Sequence, residues 1–408
     1  MRNNWIYSLI LLLINLVSVS SFAQTSMVRG ADISWCTEME DDGIKFRDAQ
    51  GEEKDIFQIM KESGMNAIRL RVWVNPVKYG YGPYCDKNDV IAKAKRANKQ
   101  GLSIMIDFHY SDFFADPGSQ MIPIDWKEYS FEEIQNAINT HTTDILQALK
   151  EEGIEPKWVQ VGNETINGMV FPAGQIDWDS TEKDIYSNYV TLHNTGYDAV
   201  KSIFPEAVVI LHPGGADTGR YDGWFFRDFK NAGGKFDMIG LSHYPDYNEW
   251  NNTDPESYSN VNTEKIVKNL IQLFQVPVMI CETGYSNDDP LRARNVMQDL
   301  FDRLTPIDLC AGIFYWEPQV NGIWKPHYYE ELGWNAYNMG AFNSDYSPSV
   351  ALEAFHGNNT HVNHITKDDE KENKWYDLQG RMVKSPYQGI YIRKQGSNYS
   401  KVILNSQK

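Results

Sequence analysis

Short apolar runs and longer stretches with helical spacing alternate along most of the chain. The apolar runs end in polar residues, and between them apolar residues recur at the period of an amphipathic helix. Eight runs predict strands, at 30–35, 66–74, 102–109, 158–164, 207–212, 236–242, 276–281 and 310–316. Strands that alternate with helices, without a second block of strands, predict an α/β fold, a parallel (β/α)8 TIM barrel.

Helical stretches separate these strands. They cover 56–60, 90–99, 131–150, 186–203, 224–231, 266–274 and 291–304. A further apolar run at 349–355 is expected to close the ring. Long loops rich in aromatic residues follow the third, sixth and eighth strands, at the carboxyl-terminal mouth of such a barrel, so the ligand is expected there.

The N-terminus has the pattern of a secretory signal peptide. Arg2 precedes an apolar run over 5–19, and Ser21 and Ala23 are small residues before Gln24. The run is shorter than the ~20 residues of a spanning helix, which disfavours a membrane anchor. We therefore predict a signal peptide at 1–23, a mature chain without a membrane span, and secretion across the inner membrane to the periplasm, the outer surface or the extracellular space.

The composition changes after the predicted barrel at 27–356. Residues 357–373 are polar and charged and predict a linker. Residues 374–408 predict a small C-terminal β module with strands at 375–381, 389–392 and 401–404. This module resembles the β tails of many secreted proteins of Gram-negative gut anaerobes, which implies sorting or attachment; a cover for part of the barrel is the alternative.

Charge and aromatic content narrow the range of ligands. The chain has 55 acidic and 38 basic residues, and its net charge of -17 opposes binding to nucleic acid or to an anionic membrane. Neutral, hydroxyl-rich ligands stay open. The 12 Trp and 23 Tyr suit stacking on sugar faces, although both residue types are also good core residues.

Cysteine and histidine patterns do not define a metal site. The four cysteines, Cys36, Cys85, Cys281 and Cys310, are too widely spaced for a metal knuckle or a redox pair. A Cys36–Cys85 disulfide is permitted by an oxidising compartment but is not required. Asp107 and His109 alternate on one strand, where a neutral histidine bonded to a carboxylate is favoured over a metal ligand.

Two glutamates at predicted strand ends carry the main chemical signal. Asn163 and Glu164 end the fourth strand, and Glu282 follows the seventh. The fourth and seventh strands lie across the mouth of a barrel, so the two carboxyls can face each other and break a glycosidic bond. A gap of about 5 to 5.5 Å would give retention and about 6.5 to 9.5 Å inversion. Solvated or structural glutamates are the alternative.

The two carboxyls need different surroundings. A nucleophile must stay ionised, whereas an acid must keep its proton. Arg69 or Arg71 can hold a carboxylate ionised, and Tyr244 can donate a hydrogen bond to it. Asn163 can bond the sugar 2-hydroxyl in the transition state.

Several motifs in one order resemble glycoside hydrolase family 53, the endo-β-1,4-galactanases. They are GADIS at 30–34, IRLRVWVNP at 68–76, DFHYSD at 107–112, ADPG at 115–118, WVQVGNE at 158–164 and ETGY at 282–285. The resemblance covers roughly 27–356. Phe113 and His243 depart from the family pattern, which leaves individual sugar contacts open but not the chemistry.

The resemblance implies a cofactor-independent retaining endo-hydrolase of β-1,4-galactan, including the side chains of pectic arabinogalactan. Glu164 would be the acid/base and Glu282 the nucleophile. The predicted substrate-binding residues are Asn163, Arg71, Asp107, His109, His243, Tyr244 and Trp316. A structural calcium is conceivable near 287–289, but without calcium-loop spacing it stays unassigned.

Other functions remain open at this point. One is another barrel β-glycanase, such as a cellulase, a mannanase or an exo-β-galactosidase. Another is a non-catalytic glycan-binding protein, although a binder has no need of both glutamates. In each case a polysaccharide is the expected partner, nucleic acid is not, and we expect a monomer.

Overall fold

The computed structural model divides into two compact units, Met1–Gly357 and Asn358–Lys408. The structure describes residues 27–181, 184–215, 223–246, 248–254, 257–357, 374–376, 382–383, 389–395 and 398–404. The predicted signal peptide and, apart from Gly357, the predicted linker lie outside these residues.

Eight parallel strands form a closed barrel in the first unit. They are β1 (Val28–Asp32), β2 (Ala67–Val72), β3 (Ser103–Phe108), β4 (Trp158–Val161), β5 (Val208–Leu211), β6 (Met238–His243), β7 (Val278–Thr283) and β8 (Cys310–Trp316). Consecutive barrel strands are neighbours, and β8 pairs with β1 to close the ring. The predicted TIM barrel is therefore confirmed.

Nine α-helices accompany the barrel in the described part of the first unit. They are α1 (Cys36–Asp41), α2 (Ile56–Glu62), α3 (Lys87–Lys99), α4 (Phe131–Glu151), α5 (Ser187–Ile203), α6 (Trp224–Asn231), α7 (Asn260–Phe274), α8 (Pro290–Leu304) and α9 (His327–Glu331). Side-chain caps fix several starts. Ser130 and Glu133 form a capping box on α4, and Asp86 and Asp289 accept backbone N–H bonds at the starts of α3 and α8.

Helices α1 and α9 were not predicted, and two predicted elements differ in the structure. The run at 349–355 is not a strand but lies in a 3-10 helix, Val350–His356, which Ser349 caps. Its Phe355 packs on Phe301, with ring centroids 4.9 Å apart, so its apolar residues bury against α8 rather than in the barrel. Helix α7 begins before the predicted 266. Ser259 caps its start, and polar residues of its first turn are buried and hydrogen-bonded.

Apolar side chains fill one end of the barrel interior. The cluster comprises Val28, Ala67, Met105, Trp158, Ile210, Met238, Met279, Cys281 and Phe314. Closer to the carboxyl ends of the strands the buried side chains turn polar, with Asp32, Arg69, Asp107 and Gln160 all nearly inaccessible to solvent. The polar side chains thus form a layer above the apolar cluster, which places the candidate site at the carboxyl-terminal mouth of the barrel.

The second unit contains a four-stranded antiparallel sheet. Its strands are β9 (Lys374–Tyr376), β10 (Met382–Val383), β11 (Gly389–Gln395) and β12 (Asn398–Leu404), in the order β10-β9-β11-β12. Three strands were predicted, and β10 is the additional one. Across both units, no helix among the described residues has the length and apolar character needed to cross a bilayer.

Candidate active site

Arg69 is the centre of the polar layer at the barrel mouth. Its side chain is 1% exposed. Nη1 donates to Asp32 Oδ2 at 2.7 Å, Nη2 lies 2.8 Å from Asp107 Oδ2, and Nε donates to Gln160 Oε1 at 2.8 Å. A buried guanidinium held by two carboxylates and an amide is a rigid cationic centre.

Glu282 lies beside this cation at the end of β7. Tyr244 Oη donates to Glu282 Oε1 at 2.7 Å, and Arg69 Nη1 is 3.5 Å from Oε2. Burial raises the pKa of Glu282, while Arg69 and the Tyr244 hydrogen bond oppose that rise. Gly284 makes room for this arrangement, since a Cβ there would lie 2.5 Å from Tyr337 Oη and 3.1 Å from Tyr244 Cε1.

Glu164 follows β4 on a strained backbone. Its φ of 49° is left-handed, and Gly162 just before it has a φ of 89°. Ser242 Oγ donates to Glu164 Oε1 at 2.6 Å. Burial raises the pKa of Glu164 to about 8, and the charges of Glu282 and Asp116 add to the rise. These surroundings favour the protonated form of Glu164.

Both glutamates line a single cavity of about 200 Å³. Its other lining residues are Arg69, His109, Phe114, Ala115, Asp116, Asn163, Trp316, Tyr329 and Trp334. Burial raises the pKa of both carboxyls and each accepts from a hydroxyl, but Glu282 also lies 3.5 Å from the Arg69 guanidinium, which favours its ionised form. This pairing can protonate a leaving oxygen and attack an anomeric carbon.

Three of the predicted binding residues line the cavity, namely Asn163, His109 and Trp316. Asn163 Oδ1 accepts from Arg69 and its Nδ2 donates to Ala115 O at 2.7 Å, which fixes the amide. His109 Nδ1 accepts from Ala115 N at 2.9 Å. Its Nε2 therefore carries the hydrogen that bonds Asp107 Oδ2 at 3.0 Å, so both ring nitrogens are occupied, as in the favoured non-metal interpretation.

Arg71 was predicted to contact substrate, but it is not among the residues that line the cavity. Its guanidinium is fully buried and bonds Glu317, and it lies against the rings of Trp35, Trp73 and Phe114, with its Cζ between 4.8 and 5.4 Å from the ring centroids. Arg69 rather than Arg71 reaches Glu282. Arg71 thus packs against Phe114, a ring that lines the cavity.

His243 and Asp107 also lie outside the cavity. His243 Nε2 is 2.8 Å from Asn260 Oδ1 and Nδ1 is 3.0 Å from Thr263 Oγ1, so the ring faces α7. Burial lowers the pKa of His243 to about 4, and the ring is neutral. Asp107 is fully buried among Arg69, His109 and Gln160. Both side chains bond neighbouring residues, and neither lines the cavity.

Several residues of the site were not predicted. Asp116 and Trp334 line the cavity, Ser242 bonds Glu164, and Glu317 anchors Arg71 with a φ of 46°. Glu317 had a detectable signal, because it is a carboxylate directly after a predicted strand. Trp334 had none, since it comes from a loop whose path the periodicity does not fix.

The described residues hold no group of three or more His, Cys, Asp or Glu arranged around a metal position. Asp289, one of the residues near the conceivable calcium position, caps α8 by accepting from Arg292 N at 3.0 Å. All four cysteines are free thiols in the structure, so the permitted Cys36–Cys85 bond is not formed.

A closed parallel barrel with two glutamates that line one cavity at the ends of its fourth and seventh strands defines a glycoside hydrolase of the TIM-barrel class. Comparison with protein families gives the particular group. Residues 28–299 match the model of Glycosyl hydrolase family 53, and the chain belongs to that family.

Known proteins support this membership. The chain is 34% identical to the arabinogalactan endo-beta-1,4-galactanase of Cellvibrio japonicus over 263 residues. This alignment covers 63% of this chain and 65% of that protein. It is 28% identical to the endo-beta-1,4-galactanase of Bacillus subtilis over 363 residues, an alignment that covers 81% of this chain and 80% of that protein. A fungal beta-1,4-galactanase structure has the same fold, with a TM-score of 0.69 at 24% identity over 82% of this chain and 100% of that one.

Proposed function

We propose that the protein is an endo-acting retaining hydrolase of β-1,4-galactosidic linkages in galactan, including type I arabinogalactan of pectin side chains. The observation that carries the proposal is the pair Glu164 and Glu282, which line one cavity, with the Arg69 cation 3.5 Å from Glu282. The substrate is inferred from the galactanases of Cellvibrio japonicus and Bacillus subtilis to which the chain is similar.

In this mechanism Glu164 gives its proton to the glycosidic oxygen as the bond to the anomeric carbon breaks. Glu282 forms a bond to that carbon, which gives a glycosyl ester. Water then attacks the same carbon, Glu164 takes the water proton, and Glu282 leaves as a carboxylate. Tyr244 and Arg69 support the ionised Glu282 before and after this cycle.

Aromatic rings at the cavity wall suit the apolar faces of galactose. Trp316 is half-buried and is fixed by Trp35 and Tyr337, with ring centroids 5.1 and 4.6 Å away. Trp334 is 44% exposed beside it. A fixed ring and an accessible ring that line the same cavity suit a polymer that extends past the cleavage point.

The direct test uses galactan and a variant of the nucleophile. Glu282→Ala should abolish release of reducing ends while circular dichroism shows an intact fold. The matched control is Glu353→Ala, an exposed glutamate paired with Arg294 at 3.1 Å, which should keep full activity. Near-full activity in Glu282→Ala would end the proposal.

The products of the wild-type protein separate the alternatives. Short galacto-oligosaccharides from galactan support endo action, whereas galactose alone would indicate an exo enzyme. Release from cellulose or mannan instead of galactan would indicate another β-glycanase. No release from any polysaccharide would leave a glycan-binding protein.

We also propose export, with cleavage after Ala23, and a monomeric mature protein. The motivation is the basic, apolar and small-residue order of 1–23. Intact-mass analysis of protein from the producing cells should find a chain that starts at Gln24. A chain that keeps 1–23 would contradict cleavage, and size-exclusion chromatography tests the monomer.

A further inference from the structure

A chain of buried hydrogen bonds links Arg69 to Glu164. Arg69 Nε donates to Gln160 Oε1 at 2.8 Å. A guanidinium only donates, so the oxygen of the Gln160 amide must face it and the Nε2 group must face the other way. Gln160 Nε2 is 3.0 Å from Asp107 Oδ1 and 2.9 Å from His212 Nδ1, so one hydrogen serves each.

The orientation of Gln160 determines the tautomer of His212. His212 is fully buried, and burial lowers its pKa to about 3, so the ring is neutral with one hydrogen. Nδ1 must accept from Gln160, which puts the hydrogen on Nε2, 2.9 Å from Ser242 Oγ. Asn163 Oδ1 also lies 3.1 Å from Nδ1, but a hydrogen on Nδ1 would face the N–H of Gln160 at 2.9 Å, which would set two donors against each other.

The His212 tautomer in turn determines the direction of the Ser242 hydroxyl. Ser242 accepts from His212 and donates its own hydrogen to Glu164 Oε1 at 2.6 Å. The carbonyl oxygen of a protonated carboxyl is its better acceptor, so a proton on Glu164 is then carried by the other oxygen, Oε2. The donor-only Arg69 sets the direction of the links as far as the His212 Nε2 hydrogen, and the Ser242 donor bond completes the chain.

We infer that Gln160, His212 and Ser242 are positioning residues that fix the acidic proton of Glu164 on Oε2 and stabilise the carboxylate formed when that proton leaves. None of the three lines the cavity. They act through Glu164 alone, and the same arginine that supports Glu282 begins the chain. The acid and the nucleophile are therefore aligned by one cation. This inference rests on the proposed acid role of Glu164.

Removal of the Ser242 donor has a predictable sign. Its hydrogen bond favours ionised Glu164 and lowers the pKa, against the raising effects of burial, Glu282 and Asp116. Arg69 also faces Glu164, and the Tyr244 hydroxyl is close enough to sense its charge. Ser242→Ala leaves these groups in place, so the alkaline limb of kcat/KM should move up by about one pH unit.

The experiment measures pH profiles and leaving-group dependence for Ser242→Ala, Ser242→Thr and the control Thr263→Val. Thr263 pairs with buried His243 on the side away from the cavity, so its variant removes a similar histidine–hydroxyl bond. The kcat/KM of Ser242→Ala should fall about tenfold or more on galactan, by analogy with other general-acid contributions. It should fall less on an activated aryl galactoside. Ser242→Thr should restore the wild-type limb, and Thr263→Val should not move it.

An unmoved alkaline limb in folded Ser242→Ala, or an equal shift in Thr263→Val, would overturn the inference. Nitrogen NMR of His212 provides a second test that does not need a variant, with hydrogen expected on Nε2 and its presence on Nδ1 contradicting the chain. Wild-type protein that releases nothing from galactan would instead reject the proposed function.

Discussion

Tyr244→Phe tests how the protein keeps Glu282 ionised. The hydroxyl of Tyr244 donates to Glu282 Oε1 at 2.7 Å, and the variant removes this bond while the ring remains. A hydrogen bond to a charged group contributes about 1.5 to 3 kcal/mol, which corresponds to about 1 to 2 pH units in the pKa of the acceptor. Because the bond stabilises the carboxylate, its loss raises the pKa of Glu282.

The assay is the pH dependence of kcat/KM, whose acid limb follows protonation of Glu282 in the free enzyme. In Tyr244→Phe that limb should move to higher pH by about 1 to 2 units, because Glu282 now gains its proton earlier as the pH falls. Arg69, 3.5 Å from Oε2, remains and limits the shift. Tyr110→Phe is the control, since that buried hydroxyl bonds Thr142 Oγ1 at 2.8 Å instead. An acid limb that stays in place, or moves equally in the control, would refute the reasoning.

The remaining predictions concern Glu164, the turn that precedes it, and the buried Arg71–Glu317 pair. Glu164→Gln should slow galactan hydrolysis far more than hydrolysis of activated aryl galactosides, and equal losses would argue against an acid role. Gly162→Ala adds a Cβ 2.6 Å from a threonine methyl at a φ of 89°, so urea unfolding should show a loss of more than about 1 kcal/mol, greater than for Gly153→Ala, where a φ of 69° meets open space. Arg71→Met leaves Glu317 buried without its cation and should cost about 3 to 5 kcal/mol in the same assay; a loss below about 1 kcal/mol would contradict the buried pair.

The sequence could predict the barrel and the positions of both glutamates because each is a local signal. An apolar run that ends in a carboxylate fixes a strand end, and the parallel topology brings Glu164 and Glu282 to one mouth. The run at 349–355 was misassigned for the same reason, since an apolar stretch of that length suits a strand or a short buried helix equally. Only the packing of Phe355 on Phe301 distinguishes them.

Side-chain direction was harder to predict than strand position. Arg69 and Arg71 share one face of β2, and only their depth in the barrel decides which reaches Glu282. On β6 and the loop after it, Ser242 and Tyr244 face the glutamates while His243 faces α7. Strand alternation shows which residues share a face of the strand. It does not show which face points into the barrel, because that depends on the register of the strand in the folded sheet.

In the proposed mechanism Glu282 forms the covalent bond to the sugar while Glu164 transfers the proton. The most direct measurement is to incubate the protein with an aryl 2-deoxy-2-fluoro-β-galactobioside, digest it, and locate the added mass by peptide sequencing in a mass spectrometer. The account predicts one inactivating label, carried by Glu282. A label on another residue, or full inactivation without any covalent label, would contradict it.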